Sequence, residues 1–296
     1  MKGATIMYYK QYTNVKEFYD ATYFVLMRHE AQNTIPLGNL ILGNKGNDKT
    51  GWRDPVNWFM ATVCDTDSGG IQLTAIMTPP YNIALYATGN IICEESINCL
   101  INGIAGHPVP GVTAEKSLAK YFADLYTSRK GMSFEVSMDQ RIYELTEVNP
   151  EIPRIGTIRL SSEKDMPFLP FWCEAFHASG TYGSTTMEIP NEPDDYLYRI
   201  SKNNLYVLEY NGVSVSLAGL NREMQTVIGV GPVYTPPYYR GKGYASSAVA
   251  QISQLALDRG FKKCVLYTDL ANPTSNSIYQ KIGYRPICDS LMLKFI

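Results

Sequence analysis

The sequence contains no apolar run of the roughly 18 residues that a membrane-spanning helix needs. Its first residues, MKGATIMYYKQYT, lack the apolar core of a secretory leader, so a soluble, cytoplasmic protein is the default expectation. Positive charge is not in surplus either: 26 Lys+Arg against 28 Asp+Glu give a net charge of -2. That balance supplies no general field for nucleic acid or an anionic membrane, and neither is expected as a partner. Histidine is scarce, with three residues at positions 29, 107 and 177 that fall in no metal or triad motif. The six cysteines, Cys64, Cys93, Cys99, Cys173, Cys264 and Cys288, form no C-x-x-C pair. They are read as reduced thiols, neither a zinc site nor a disulfide framework, and no metal is expected. Low-complexity tracts, internal identities and heptads are missing too.

What is present is a chain of 296 residues with 45% apolar content and 22 tyrosines, enough for two medium domains. The first half has mixed α/β texture. An aromatic-rich segment at 16–27 precedes WFMATVCD at 58–65 and the apolar runs IQLTAIM and NIALYAT, which are split by Pro79 and Pro80. From Thr113, taken as a helix cap with Glu115 in the first turn, the spacing of Ala114, Leu118, Tyr121, Phe122 and Leu125 predicts a helix ending at Gly131. A strand, SFEVSMDQRIYELTEV, follows. NPEIPR at 149–154 carries two prolines and sets the expected boundary between domains 1–150 and 151–296.

The second half predicts the strand IGTIRLSS, a helix at 166–178, and a second helix led in by PNEPDD. LYVLEY and VSVSLAGL flank Asn211-Gly212, a type I′ hairpin signal. A strand, TVIGVGPVYT, then runs into YTPPYYRGKGYASSA. Beyond it Ala245, Ala248, Val249, Ile252, Leu255 and Ala256 repeat at helical spacing up to Gly260. The strand KKCVLYTDL, the short helix TSNSIYQKIG and the strand PICDSLMLKFI complete the chain.

The turn between Thr235 and that helix carries Gly241 and Gly243, flanked by Arg240 and Lys242. A helix start exposes unpaired amides with a partial positive charge, and glycine lets an anion approach the backbone, so the segment predicts a phosphate site. It is not a Walker A loop, because Lys242 is followed by glycine. It is not a dinucleotide loop, because neither Gly229-x-Gly231 nor Gly241-x-Gly243 has the third glycine.

R-x-x-G-x-A, filled by Arg240, Gly243 and Ala245, resembles the acetyl-coenzyme A signature of the GNAT N-acetyltransferase superfamily. NPTSNSIYQKIGYRP resembles that family's N-x-x-S-x-x-x-Y-x-x-x-G-[FY] element, with Asn272, Ser275, Tyr279, Gly283 and Tyr284 in register. The resemblance covers residues 155–296. The first half is similar, less specifically, to the degenerate lobe of a two-lobed group, and there no Arg or Gln begins a phosphate loop.

The resemblance implies an α/β fold of two tandem GNAT-like domains, each a mixed, mostly antiparallel central sheet flanked by helices. It implies acetyl-CoA as cosubstrate and acetyl transfer to a primary amine, either a small molecule or a peptide, by direct attack. Backbone amides at Val233, Tyr234 and Thr235 would hold the carrier's arm and carbonyl. Arg240, Gly241, Lys242, Gly243, Tyr244 and Ala245 would cradle its phosphates. Tyr279 would protonate the departing thiolate, unless it is simply a packed tyrosine. Asn272 and Ser275 are carrier contacts or plain helix caps. No base is assigned among Glu209, Glu223 and Asp269, and the terminal carboxylate of Ile296 stays open as another candidate. A non-catalytic acetyl-CoA-binding module, a transferase of another acyl group, and a homodimer also remain open.

Overall fold

The computed structural model describes residues 6–46, 54–177 and 193–296. Its contacts divide into two compact units, Met1–Gln140 with Cys288–Ile296, and Arg141–Ile287.

The first unit runs β1 (Met7–Tyr12), α1 (Val15–Met27), α2 (Thr34–Lys45), β2 (Phe59–Asp65), β3 (Ile71–Met77), β4 (Ile83–Ala87), α3 (Glu94–Gly103), β5 (Gly111–Glu115), α4 (Lys116–Lys130) and into β6 (Phe134–Leu145). The second continues with β7 (Thr157–Leu160), α5 (Leu169–Phe176), α6 (Pro193–Ser201), β8 (Leu205–Tyr210), β9 (Val213–Asn221), β10 (Val227–Tyr234), α7 (Tyr244–Asp258), β11 (Lys263–Asp269), α8 (Pro273–Ile282) and into β12 (Arg285–Phe295). The same order of strands and helices therefore occurs twice. Of the PNEPDD lead-in to α6, residues 190–192 lie outside the described residues.

In the first unit the strand order is β1-β2-β3-β4-β5-β12, antiparallel except where β4 meets β5. In the second it is β6-β11-β10-β9-β8-β7; β10 and β11 are parallel, whereas β7 through β10 are antiparallel. Within each unit the strands are thus mixed and mostly antiparallel, with helices packed on them. The Asn211-Gly212 hairpin forms with φ of 51° and 75° at its two central residues, the positive values a type I′ turn requires. Gly260, two residues past the end of α7, has φ 98°.

Three details differ from the sequence reading. Thr113 lies in β5, paired with Met292 of the last strand, and the helix starts later, capped by the Glu115 carboxylate, which accepts the Ser117 and Leu118 amides at 2.9 and 3.1 Å. The predicted helix at 166–178 starts later, at Leu169, after a 3-10 turn that Asp165 and Ser162 close as a capping box, and residue 178 lies outside the described residues. The units also divide at Gln140/Arg141 rather than at 150/151, and the last nine residues return to the first unit. NPEIPR is no free linker: the Asn149 amide and side chain donate to the carbonyls of Ile282 and Lys281 at 2.8 and 2.9 Å. That segment closes over the end of α8, within the second unit.

All six cysteines are free thiols. Among the described residues no group of three or more His, Cys, Asp or Glu side chains could hold a metal ion, and no helix is long and apolar enough to cross a membrane.

Candidate functional site

β10 pairs with β11 only at Val227, Ile228 and Gly229 among the described residues, while its pairing with β9 continues to Tyr234. From Val230 onward the edge of β10 that faces β11 is therefore unpaired. The strand is distorted at the same place by a register shift between Val230 and Val233. Asn221 holds that irregularity by donating its side-chain amide to the Gly231 carbonyl at 2.7 Å. Amides that a regular parallel ladder would use are thereby left for another partner.

Ser216, a fully buried serine of β9, fixes the end of the strand. Its hydroxyl donates to the Tyr234 carbonyl at 3.0 Å. Having only one proton to give, it must accept in its 2.8 Å contact with the Thr235 hydroxyl. Nothing in the sequence marks this serine, because its partner lies 18 residues further on in a neighbouring strand.

After a short turn at Pro237–Tyr239, Arg240 donates its Nε to the Thr235 carbonyl at 2.9 Å, and its guanidinium lies 5.8 Å from the Tyr234 ring. Lys242 places its ammonium 5.0 Å from the Tyr238 ring. Gly241 and Gly243 have φ of 76° and 80°, the left-handed region where a side chain costs roughly 1–2 kcal/mol. Gly243 is the residue before α7 and has no capping side chain. The first bond of the helix runs from the Ser247 amide to the Gly243 carbonyl. The amides of Tyr244, Ala245 and Ser246 thus have no earlier helical carbonyl to bond. A Cβ built on Gly241 would meet nothing within 4 Å, so the loop has an open side with paired cations at its rim.

Val233, Tyr239, Tyr244 and Tyr279 pack on one core cluster, formed by α7, α8 and the strands beneath. Tyr234 packs on a different cluster, with α5. Consecutive strand residues point to opposite faces, so β10 carries Val233 on the α7/α8 side and Tyr234 on the α5 side.

α8 begins at Asn272, whose side chain accepts the Ser275 amide at 3.0 Å; both residues are thus engaged in a helix cap. Asn276 donates to the carbonyls of Asp269 and Asn272 at 2.8 and 2.7 Å and accepts the Tyr143 hydroxyl at 3.0 Å. These bonds fix the helix that presents Tyr279, about 10 Å further along its axis. The Tyr279 hydroxyl has no hydrogen-bond partner among the described residues, and the residue is half-buried. Burial of the side chain pushes its pKa up to about 12. Its ring meets Tyr284 edge-on at 6.0 Å, and Tyr284 is pinned by Ser253 through a 2.7 Å hydroxyl contact.

The candidate bases have other partners. Glu209 pairs with Arg159 at 2.8 Å, Glu223 with Arg259 at 2.7 Å, and Asp269 accepts the Ala271 amide at 2.8 Å. Ile296 belongs to the first unit, where its backbone exchanges hydrogen bonds with Ser133.

The first unit contains a corresponding strand–loop–helix, β4 to α3, of different chemistry. β4 pairs with β5 at Ile83 and Ala84, and beyond that point a small cavity opens among Gln32, Tyr86, Asn90 and Glu115. The loop into α3, however, is Ile91-Ile92-Cys93, followed by Glu94 and Glu95. The Glu95 carboxylate takes its own backbone N–H and, at 3.3 Å, the Cys93 thiol, which hold it below the usual carboxylate range. The start of this helix is thus occupied by the chain's own anion.

Residues 171–284 match the family model described as Acetyltransferase (GNAT) family. A stretch of 53 residues is 38% identical to the uncharacterized N-acetyltransferase YycN of Bacillus subtilis (strain 168), covering 18% of this chain and 33% of that protein. The matched stretch is thus about a third of that relative's length. A solved structure of a Drosophila protein aligns with TM-score 0.67 and 12% identity over 99% of both chains. A tandem GNAT protein from the clavulanic acid biosynthesis pathway aligns with TM-score 0.55 and 10% identity over 98% of both. At those identities the two structures show the fold alone.

Proposed function

We propose, from the match of residues 171–284 to the GNAT acetyltransferase family model, that the second unit transfers the acetyl group of acetyl-CoA to a primary amine by direct attack. The observation that carries the proposal is the open loop at Gly241–Gly243, next to an unpaired strand edge and packed on the same core as a phenol with no hydrogen-bond partner among the described residues.

The loop fits a diphosphate. Its glycines leave room, and three helix-start amides lie beside two cations. A hydrogen bond to a charged group contributes about 1.5–3 kcal/mol, so three approach the roughly 8 kcal/mol of micromolar binding before ordering costs. When bound, the carrier supplies the thioester that is attacked. Of the amides of Val233, Tyr234 and Thr235, those turned away from β9 bind its arm and receive the charge that develops on the carbonyl oxygen. Tyr279 holds a proton for the departing sulfur. Because Glu209 and Glu223 are ion-paired, the amine loses its proton to solvent, and kcat/KM is expected to rise with pH toward the amine's own pKa. Asn272 and Ser275 act by fixing the start of α8.

Calorimetry tests the loop. Acetyl-CoA is expected to bind with micromolar affinity at one molecule per chain, and Gly241→Ala or Arg240→Ala to weaken it about tenfold with unchanged circular dichroism. Heat-free titration of the folded protein would sink the proposal. The single site per chain follows from Glu94 and Glu95 at the start of α3: a carrier phosphate there would meet two carboxylates in place of Arg240 and Lys242. A stoichiometry of two would overturn that part.

A further inference from the structure

We infer that the acceptor of this reaction is a monoamine carried on a flat apolar body, seated against Phe168, Trp172 and Tyr234; the inference rests on the acetyl-transfer reading above. Phe168 and Trp172 lie one helical turn apart at the α5 end nearest β10, with ring centroids 4.4 Å apart. Trp172 reaches Tyr234 at 6.3 Å. All three side chains are half-buried, neither sunk in the core nor free in solvent. They form a continuous aromatic wall that ends on the residue preceding Thr235, where the unpaired edge of β10 stops.

The two faces of β10 divide the chemistry. Val233 and Tyr279 pack with α7 and α8, so the sulfur and its proton donor belong to that side. The nucleophile attaches to the carbonyl carbon along a different bond from the leaving sulfur, and the body behind it needs room on the other side. That side is the α5 face, where Tyr234 points.

Charge narrows the class. The carboxylate carried by α5, Glu174, is two residues beyond Trp172, a turn of about 200° around the helix. It accepts the Tyr196 hydroxyl at 2.6 Å, away from the wall. Asp165, just before α5, is buried and tied to Arg159 at 2.8 Å. Neither Glu174 nor Asp165 is offered to the wall, so a polycation would meet rings, with no carboxylate among the described residues to match its further ammonium groups. A single amine on a ring or other flat apolar skeleton stacks on the wall and buries apolar surface.

The test is steady-state acetyl transfer to 2-phenylethylamine, n-butylamine and spermidine by the full chain. We expect kcat/KM for 2-phenylethylamine to exceed the other two by at least about tenfold, the size of a stacking contact with its burial. Trp172→Ala is expected to raise KM for 2-phenylethylamine about tenfold, leaving kcat and the other two amines within about threefold. Trp172→Phe restores KM while abolishing the change in tryptophan emission that 2-phenylethylamine causes in the wild type, a readout that also stands if the alanine variant misfolds. Equal or better use of butylamine or spermidine would overturn the inference, as would an equal loss of kcat for all three amines in Trp172→Ala. Acetyl-CoA binding without turnover of any amine is a different result; it removes the acetyl-transfer reading, and this inference with it.

Discussion

A Tyr279→Phe variant is expected to bind acetyl-CoA with a Kd within about threefold of wild type and to turn over roughly a hundred- to ten-thousandfold more slowly, the range for loss of a positioned acid. The separation of binding from turnover follows from the hydroxyl's surroundings. It bonds to no protein group among the described residues, so its removal leaves no buried donor or acceptor orphaned, and the ring keeps its edge-on contact with Tyr284. Little stability is therefore lost.

The pH profile supplies a second readout. An ordinary phenol is half ionised near pH 10, whereas Tyr279, pushed up to about 12, has lost only about one proton in a hundred there. The kcat profile should accordingly show no alkaline fall up to pH 10, only the rise set by the amine. For stability the sign is that of a raised group. The unfolded phenol ionises first, so the contribution is complete below pH 10 and is lost as pH climbs through about 12. Retention of more than half the wild-type kcat in Tyr279→Phe would remove the phenol from the chemistry. Wild-type protein that binds the carrier but releases no thiol with any amine would instead be a non-catalytic carrier-binding module.

The two chemical segments were legible because each is local. A strand, a glycine turn and a helix that follow one another in sequence leave their positive-φ positions, Gly241 and Gly243, visible as glycines. The N-x-x-S cap and the tyrosine seven residues after Asn272 lie on a single helix, α8. The fold class was legible for the same reason, since alternating runs and the Asn-Gly hairpin are short-range signals.

What could not be read depends on partners remote in sequence. Thr113 and Ala114 look helical from their spacing to Leu118 and Phe122, yet Met292 and Leu291, nearly two hundred residues later, pair with them as a ladder. NPEIPR has the composition of a linker, but Ile282 and Lys281 satisfy Asn149 and make it part of the second unit. The Trp172–Tyr234 contact and the Ser216 hydroxyl bonds join elements separated by whole helices, and no motif announces them. Glu95 was visible as a residue; its role as the anion at its own helix start appears only with the geometry.

Deletion of residues 288–296 is expected to unfold the first unit, although it removes nothing before the chain's last strand. Leu291, Leu293 and Phe295 are buried members of the first unit's core. Ser290 through Lys294 are paired along β5, and Phe295 stacks on Tyr126 with ring centroids 4.9 Å apart. Burial of each large apolar side chain contributes about 1.5–3 kcal/mol, so three together amount to about 5–9 kcal/mol. That is comparable to the whole stability of a typical domain, about 5–15 kcal/mol, before the loss of the ladder on β5 is counted. The truncated chain should be cleaved rapidly by trypsin within residues 1–140 or accumulate in the insoluble fraction. Leu293→Ala is the graded form: a fully buried leucine shortened in place should cost about 2–5 kcal/mol and lower the melting temperature by on the order of 10 °C. Both changes act on the first unit, while the Gly241–Gly243 loop belongs to the second. A truncated chain that keeps the first unit's protease resistance would show that the last strand adds nothing to that core, and would return the boundary between the units to the proline-rich segment at 149–154.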